Sequence, residues 1–157
     1  MDKYIKVPAY TTGQTSLVVS TSAYDASDVV GGLLKFDIPG VVGGGIINAC
    51  LLTDDANQSE PFHLYLFDAA PTSIDDAAAF APAIADLKKI VARISIAAAD
   101  YVTVNSNGYA LKSDLNEVFD CSGGTGQLFG YLVANGSTPD YAATTDLYVA
   151  LRILTEQ

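Results

Sequence analysis

The sequence predicts a mainly β protein: a single antiparallel β-sandwich, jelly-roll-like, with one short helical insertion near residues 74–87. The first observation is a succession of about nine or ten short strand-like segments separated by Gly, Pro, Asn and Ser turns, which is typical of sandwiches. The second is that these segments do not alternate with long helical patterns, which disfavours a parallel α/β sheet. The third is a length of 157 residues with 50% hydrophobic residues, which suits one domain with a proper core.

Short edge strands are predicted at residues 3–7 and 15–19, and a third strand at residues 33–38. We divide the chain into an N-terminal segment or arm, residues 1–20, and a β-sandwich domain, residues 21–157. An ordinary edge strand explains the first segment as well as an arm does. Alternation in the third strand places three apolar side chains on one face: Leu34, Phe36 and Ile38.

A hairpin is predicted from Gly45 to Asp68, where an apolar strand, an acidic turn and a second apolar strand follow one another. Alternation groups Ile46, Asn48, Cys50 and Leu52 on one face of the first strand, and Phe62, Leu64 and Leu66 on one face of the second. Both faces of both strands are largely apolar, which is typical of strands that are buried on both sides. Asp54 and Asp55 lack the frame of a calcium loop and are interpreted as an exposed turn.

One or two helical turns are predicted at residues 74–80, where the chain is rich in Ala and Ser73 precedes as a cap. Asp75 and Asp76 would then place negative charge at the helix N-terminus. Pro82 ends this turn, and residues 84–87 are predicted as a second short turn.

The rest of the chain is predicted as further strands at residues 88–96, 101–104, 109–112, 115–120, 128–134 and 147–154. Asn107-Gly108 is a strong hairpin-turn signal, and residues 122–126 are predicted as a flexible loop. Two sets of side chains would each share one face: Ile90, Ala92, Ile94 and Ile96, and Leu147, Val149, Leu151 and Ile153.

The charge balance limits the partners. Charged residues make up 17% of the chain and the net charge is −10, so binding to nucleic acid or to an anionic membrane surface is disfavoured. No stretch approaches the roughly 20 apolar residues of a membrane span, and residues 1–20 lack the apolar core of a signal peptide. Cys50 and Cys121 have no metal-ligand spacing and are predicted to be buried, reduced thiols.

The residues suited to catalysis lack partner motifs. His63 is the sole histidine, and it lies in a strand between apolar residues. No nucleophile elbow accompanies it, and the glycine runs are not followed by the Lys-Ser/Thr of a phosphate loop. We therefore predict no catalytic residue, no cofactor and no metal site.

Aromatic residues on the second strand faces leave two alternatives open. These faces form a second layer of the core or a subunit or capsid interface, for which tyrosine is favoured, and both can hold if a strand faces the core on one side and a neighbouring copy on the other. The candidate interface residues are His63, Tyr65, Phe67, Phe129, Tyr131 and Tyr148.

Several segments resemble small structural proteins of tailed bacteriophages, similar to capsid decoration or cement proteins. The resemblance rests on residues 22–33, on residues 52–55 leading to 64–72, on residues 80–89 continuing to 95–101, and on residues 128–133 and 141–147. It covers most of residues 20–154 and includes no catalytic motif. The resemblance implies a β-sandwich without enzymatic activity that binds the major capsid protein as a dimer or trimer. It also implies a place on the capsid surface of the virion, after synthesis in the cytoplasm of the host bacterium.

Two other classes remain as alternatives. The first is a tail- or fibre-associated β-sandwich that binds a host glycan. The second is a hydrolase that acts on cell-wall sugar through carboxylates such as Asp54 and Asp55, although the chain has no Trp to line a sugar cleft.

Overall fold

The computed structural model describes residues 9–12, 15–38, 44–120 and 126–155, and it confirms an antiparallel β-sandwich with one short helix. The strands are β1 Ala9–Thr11, β2 Thr15–Ser16, β3 Val29–Asp37, β4 Gly44–Asp54, β5 Phe62–Phe67, β6 Ile90–Ile96, β7 Tyr101–Val104, β8 Asn107–Lys112, β9 Glu117–Asp120, β10 Gln127–Ala134 and β11 Leu147–Thr155. The helix α1 is Ile84–Leu87, and a 3₁₀ turn covers Ala98–Asp100. The predicted strand at residues 3–7, Cys121 and most of the predicted loop at 122–126 lie outside the described residues.

The strands form two sheets. The larger has the order β1-β11-β4-β8-β7, with β2 also pairing β11 and β9 also pairing β4, and the smaller has the order β3-β10-β5-β6. β1 and β2 both run antiparallel to β11, so the described part of the N-terminal segment belongs to the seven-stranded sheet.

The main core lies between the sheets and contains the strand faces that the alternation of apolar residues predicted for β3 and β11. Leu34, Phe36 and Ile38 from the β3 region are at most 2% exposed. The predicted inward face of β11 is also buried in this cluster, as Leu147, Val149, Leu151 and Ile153. Cys50 is a buried free thiol, and burial raises its pKa to about 12.

The predicted hairpin from Gly45 to Asp68 is wrong in its pairing. β4 pairs with β11, β8 and β9 in the larger sheet, whereas β5 pairs with β10 and β6 in the smaller. The connection between them is therefore an arch that crosses the sandwich. Each strand has hydrogen-bond partners on both sides and apolar side chains on both faces, which explains the two-sided apolar pattern.

The described strands contain three register irregularities, and two of them change which of the predicted side chains reach the core. Arg152 is paired with Ala49 and Ile153 with Ile47, so Asn48 is an extra residue in β4. Ile47 consequently joins the core with Cys50 and Leu52, in place of the predicted Ile46 and Asn48.

The second bulge lies in β6. Leu66 is paired with Ala92 and Phe67 with Ile90, which leaves Val91 extra. Ile90 therefore packs in a second cluster on the outer side of the smaller sheet, away from Ala92, Ile94 and Ile96.

Residues 68–89 connect the paired strands β5 and β6 and fold over the outer face of the smaller sheet; we call them the covering segment. α1 confirms the second predicted turn, but residues 74–80 are not helical. Val29 instead bonds the segment through its backbone, donating to Ala78 O at 2.8 Å and accepting from Ala77 N at 2.9 Å. These bonds to a neighbouring strand outweigh the helix preference of the Ala-rich chain.

The hairpin between β7 and β8 turns two residues earlier than predicted. Its turn residues are Asn105 and Ser106, with φ of 50° and 73°, while Asn107-Gly108 begins β8. Gly108 instead packs closely against the connection between β4 and β5, where a Cβ would lie 3.0 Å from Asn57 Oδ1.

Candidate binding face

The outer side of the seven-stranded sheet is uncovered by the described chain, and we call it the open face. Cross-strand pairs such as Leu51 with Leu111 and Tyr109 with Val102 share this side. Its larger side chains are Ile46, Leu51, Thr53, Val102, Val104, Tyr109, Leu111, Val118, Tyr148, Arg152 and Leu154. Val118 is 72% exposed and Val102 48% exposed, so the face meets solvent in the isolated chain.

The open face carries little charge for a chain of net charge −10. Among the described strand residues directed to it, the charged ones are Arg152 in the middle and Asp120 at the end of β9. Arg152 is exposed, and its guanidinium makes no hydrogen bond or ion pair with the described residues. Contiguous apolar surface of this kind, with acidic residues elsewhere, is typical of protein interaction sites.

A cavity of about 460 Å³ lies at the end of the open face where β4, β9 and β11 meet. Its lining residues are Gly44, Gly45, Ile46, Val118, Phe119, Leu154 and Thr155. The strands pack closely here, because a Cβ at Gly45 would lie 2.6 Å from Leu154 O. Ile46, Val118 and Leu154 of this lining belong to the open face, whereas Gly45, Phe119 and Thr155 lie on the inward side of the sheet.

The outer face of the four-stranded sheet is, by contrast, packed beneath the covering segment. Phe67 and Tyr131 are fully buried there, and Phe129 is 8% exposed. The ring of Phe80 from the covering segment lies 4.5 Å from that of Tyr65 and 5.8 Å from that of Tyr131. These aromatic residues thus form a second core layer, the first of the two alternatives that the sequence left open.

This burial removes Phe67, Phe129 and Tyr131 from the surface of the isolated chain, which corrects their placement among the interface candidates. His63, Tyr65 and Tyr148 are partly exposed. Of the six candidates, Tyr148 lies on the open face, and its interface role stays a prediction.

Two polar side chains, Tyr131 and Asp76, fasten the covering segment to the rest of the fold, and a third, Asp86, holds the segment together. The hydroxyl of Tyr131 accepts from Ile74 N and donates to Thr72 O, both at 3.0 Å. Asp76 accepts from Tyr24 and Gly31, and Asp86 binds within the segment. The predicted role of Asp76 at a helix N-terminus is therefore wrong.

His63 lies at the margin of this layer, with Nδ1 3.1 Å from Ser95 Oγ. Partial burial, and then the charge of Arg93, lower its pKa below the ordinary value of 6.5. The imidazole is accordingly neutral at pH 7, and its contacts describe a satisfied surface histidine.

Asp54, predicted to lie in an exposed turn, is fully buried at the start of the arch. Its Oδ2 accepts from Ser59 N at 2.9 Å, and its carbonyl accepts from Asn57 N at 3.1 Å. Burial raises the pKa of Asp54, although backbone hydrogen bonds oppose this. Oδ1 has no hydrogen-bond partner among the described residues, whereas the neighbouring Asp55 is exposed.

The described residues contain no group of three or more His, Cys, Asp and Glu side chains placed to hold a metal ion. Within the same residues, no helix has both the length and the apolar content needed to span a membrane. Comparisons with protein-family models, curated proteins and solved structures find no match.

The open face was not predicted from the sequence, because the interface candidates were chosen mainly as aromatic side chains on strand faces. The usable signal was weaker: exposed-strand positions occupied by Val and Leu, such as Val102, Leu111 and Val118, in segments with few charges. Their exposure follows only once the sheet is known, since the same pattern also describes buried strands.

Proposed function

We propose that this chain is a non-enzymatic virion structural protein of a tailed bacteriophage that decorates the capsid and stabilises the lattice of the major capsid protein. The observation that carries the proposal is the open face, a broad apolar sheet surface with no cover from the described chain. The resemblance of residues 20–154 to small phage structural proteins supplies the phage context.

The dimensions of the open face fit a protein interface. β4 has 11 residues, which corresponds to a length of roughly 36 Å, and five neighbouring strands span roughly 20 Å. Because the edge strands β1 and β7 have only 3 and 4 residues, the product is an upper limit, and it is of the same order as the roughly 800 Å² per partner of a standard interface. Its apolar centre and its exposed Arg152 resemble the composition of interface cores.

The mechanism is multivalent clamping. Each copy contributes one interface of modest affinity, and the symmetry of the shell repeats it many times. The stiff sandwich resists separation of the shell subunits beneath it, so the shell tolerates more heat and internal pressure.

The test uses shells of the parent phage prepared without this chain. Added wild-type protein should bind and raise the temperature at which the shells disrupt, measured by calorimetry. Leu111→Asp, on the open face, should reduce occupancy at fixed protein concentration by at least about tenfold. The matched control Ile84→Asp, at a 78% exposed position on α1, should bind like wild type.

Two results together would overturn the proposed function. The added protein would leave the heat stability of the shells unchanged, and mass spectrometry would not detect the chain in virions. Equal binding of the Leu111 and Ile84 variants would overturn the role of the open face. Immunogold labelling on the tail instead of the head would favour the alternative, a tail- or fibre-associated protein that binds a host glycan.

A further inference from the structure

We infer that β7 is a self-association edge, through which two copies of this chain join their seven-stranded sheets antiparallel across a two-fold axis. The inference concerns contacts between copies and does not rest on the proposed capsid role. It begins with the edge strands of the sandwich, because an unpaired strand edge is a template for another strand.

β7 has none of the charged or proline residues that usually protect an edge. Its sequence is Tyr-Val-Thr-Val, and Val102 and Val104 are 48% and 57% exposed. It pairs with β8 in unbroken register on one side. The adjacent carboxylate of Asp100 is already held by Lys112 at 2.9 Å.

The other long edges are better protected. β3 is interrupted at Gly31 and Gly32, both with positive φ, and Thr15 from the N-terminal strand bonds Lys35 O along it. β6 carries the exposed Arg93 and lies against β9. A bulge, a crossing strand and a charge are the usual devices that prevent pairing.

The backbone groups of β7 that face outward can be assigned from the hairpin. Val104 and Asn107 close the two-residue turn as a hydrogen-bonded pair, and bonded positions alternate along an antiparallel ladder. The N–H and C=O of Thr103 and the C=O of Tyr101 therefore point away from β8, toward the position of an added strand, whereas the N–H of Tyr101 donates to Ala98 O.

One register satisfies both the hydrogen bonds and the side chains. With Thr103 facing Thr103 of the second copy on the two-fold axis, Val102 faces Val104 of that copy, and the reverse pair forms by symmetry. A shift by one residue pair would place Val104 against Asp100 instead. The chosen register opposes no charges, although each copy has a net charge of −10.

The occupant is a second copy because the strand is self-complementary and neutral within a strongly acidic chain. The paired edge is only about 13 Å long, so the buried area falls in the weak class, below about 1,200 Å². The dimer should therefore be concentration-dependent. It would also make the two open faces continuous.

Sedimentation velocity of the full chain, from about 1 µM to about 1 mM, tests the inference. The wild type should shift from monomer to dimer within this range. Val102→Lys places like charges across the joint, and Thr103→Pro removes the outward N–H while leaving the bonds to β8. Each should weaken dimerisation by at least about tenfold.

Two matched control variants distinguish loss of the contact between the two β7 strands from general effects of the added charge or of a substitution at Thr103. Val118→Lys adds the same charge to an exposed valine of the open face on β9, and Thr103→Val removes the side-chain hydroxyl but keeps the N–H. Both should dimerise like wild type, and circular dichroism should show that all four variants are folded. A wild type that stays monomeric throughout overturns the inference, as does an oligomer that Val102→Lys and Thr103→Pro leave intact.

Discussion

The hydroxyl of Tyr24 donates a hydrogen bond to Oδ1 of Asp76 over 2.8 Å and joins parts of the chain that are 52 residues apart. The same oxygen accepts from Gly31 N at 2.6 Å. One carboxylate thus ties the loop before β3, the start of β3 and the covering segment together. Burial, and then the hydrogen bond to Asp76, raise the pKa of Tyr24, so the phenol keeps its proton at physiological pH.

Tyr24→Phe should lower the free energy of unfolding by about 1 to 3 kcal/mol, because a hydrogen bond to a charged acceptor is lost from a buried position. Urea denaturation measures the change. Tyr148→Phe is the control, since that hydroxyl makes no hydrogen bond with the described residues. Equal effects of the two substitutions would contradict the role of the Tyr24 contact.

Phe80→Ala should loosen the covering segment from the aromatic layer and lower stability by about 1 to 3 kcal/mol, less than for a fully buried Phe. The fluorescence of a dye that binds apolar surface should increase as Tyr65 and Tyr131 become accessible. Ile84→Ala, at a solvent-exposed position of the same segment, should change neither quantity. Unchanged dye binding in the Phe80 variant would show that the layer stays covered without this ring.

Asp86 should make the protein sensitive to strong acid. Hydrogen bonds from Lys89 and Thr72 lower the pKa of its carboxyl group from 3.8 to about 2. The folded-state pKa lies below the unfolded one, so this stabilisation is complete above pH 3.8 and is lost as the pH falls toward about 2.

As the pH falls between those two values, the melting temperature of Asp86→Asn should therefore decrease less than that of wild type. Thermal melts at a series of pH values measure this difference. Lys89→Met should reduce the acid sensitivity in the same direction, because it removes the main cause of the pKa shift. Parallel melting profiles for wild type and both variants would refute the assignment.

Asp54 should have the opposite pH dependence. Burial raises its folded-state pKa above the ordinary 3.8, so the folded state retains a proton that the unfolded state has lost. The contribution of this group to stability falls as the pH rises from the unfolded-state pKa to the folded-state pKa, and it stays low at higher pH. Asp54→Asn retains an acceptor for Ser59 N–H but cannot ionise.

The difference in stability between Asp54→Asn and wild type should consequently grow in favour of the variant as the pH rises from about 4 to 7. Urea titrations at several pH values provide the measurement. A difference that shrinks with rising pH would mean that the backbone hydrogen bonds to the carboxylate outweigh its burial.

Gly31→Ala should be more harmful than Gly136→Ala, although both glycines have positive φ, 80° and 73°. A Cβ at Gly31 would lie 2.6 Å from Leu17 Cβ, whereas nothing lies within 4 Å of one at Gly136. The shared backbone strain is about 1 to 2 kcal/mol, and overpacking adds about 1 to 3 kcal/mol at Gly31 alone. Equal midpoints in urea for the two variants would show that Leu17 moves aside freely.

The sequence predicted the sandwich, the short helix and the inward faces of β3 and β11, because alternation is a local signal that burial enforces. It failed at Asn48 and Val91, where a bulge inserts one residue and reverses the alternation for part of the strand. The pairing partners of β4 and β5 were also not predicted, since their placement in separate sheets depends on β10 and β11, which lie far along the chain.

For the candidate site, the sequence singled out aromatic faces without showing which of them the chain covers itself. Phe67 and Tyr131 lie beneath the covering segment, whose Phe80 and Ile74 were the apolar residues that could have indicated this. Asp54 resembled a surface turn because local sequence does not reveal that the turn passes between two layers.

The position of β11 has a consequence for biosynthesis. This strand ends at Thr155, yet it lies between the N-terminal strands β1 and β2 on one side and β4 on the other. During synthesis, almost the whole described chain must be made before β11, the partner of those early strands, leaves the ribosome. We therefore expect the larger sheet to form late in folding and slowly, because its pairing closes long loops. Until then the newly made chain exposes apolar strands that chaperones would recognise.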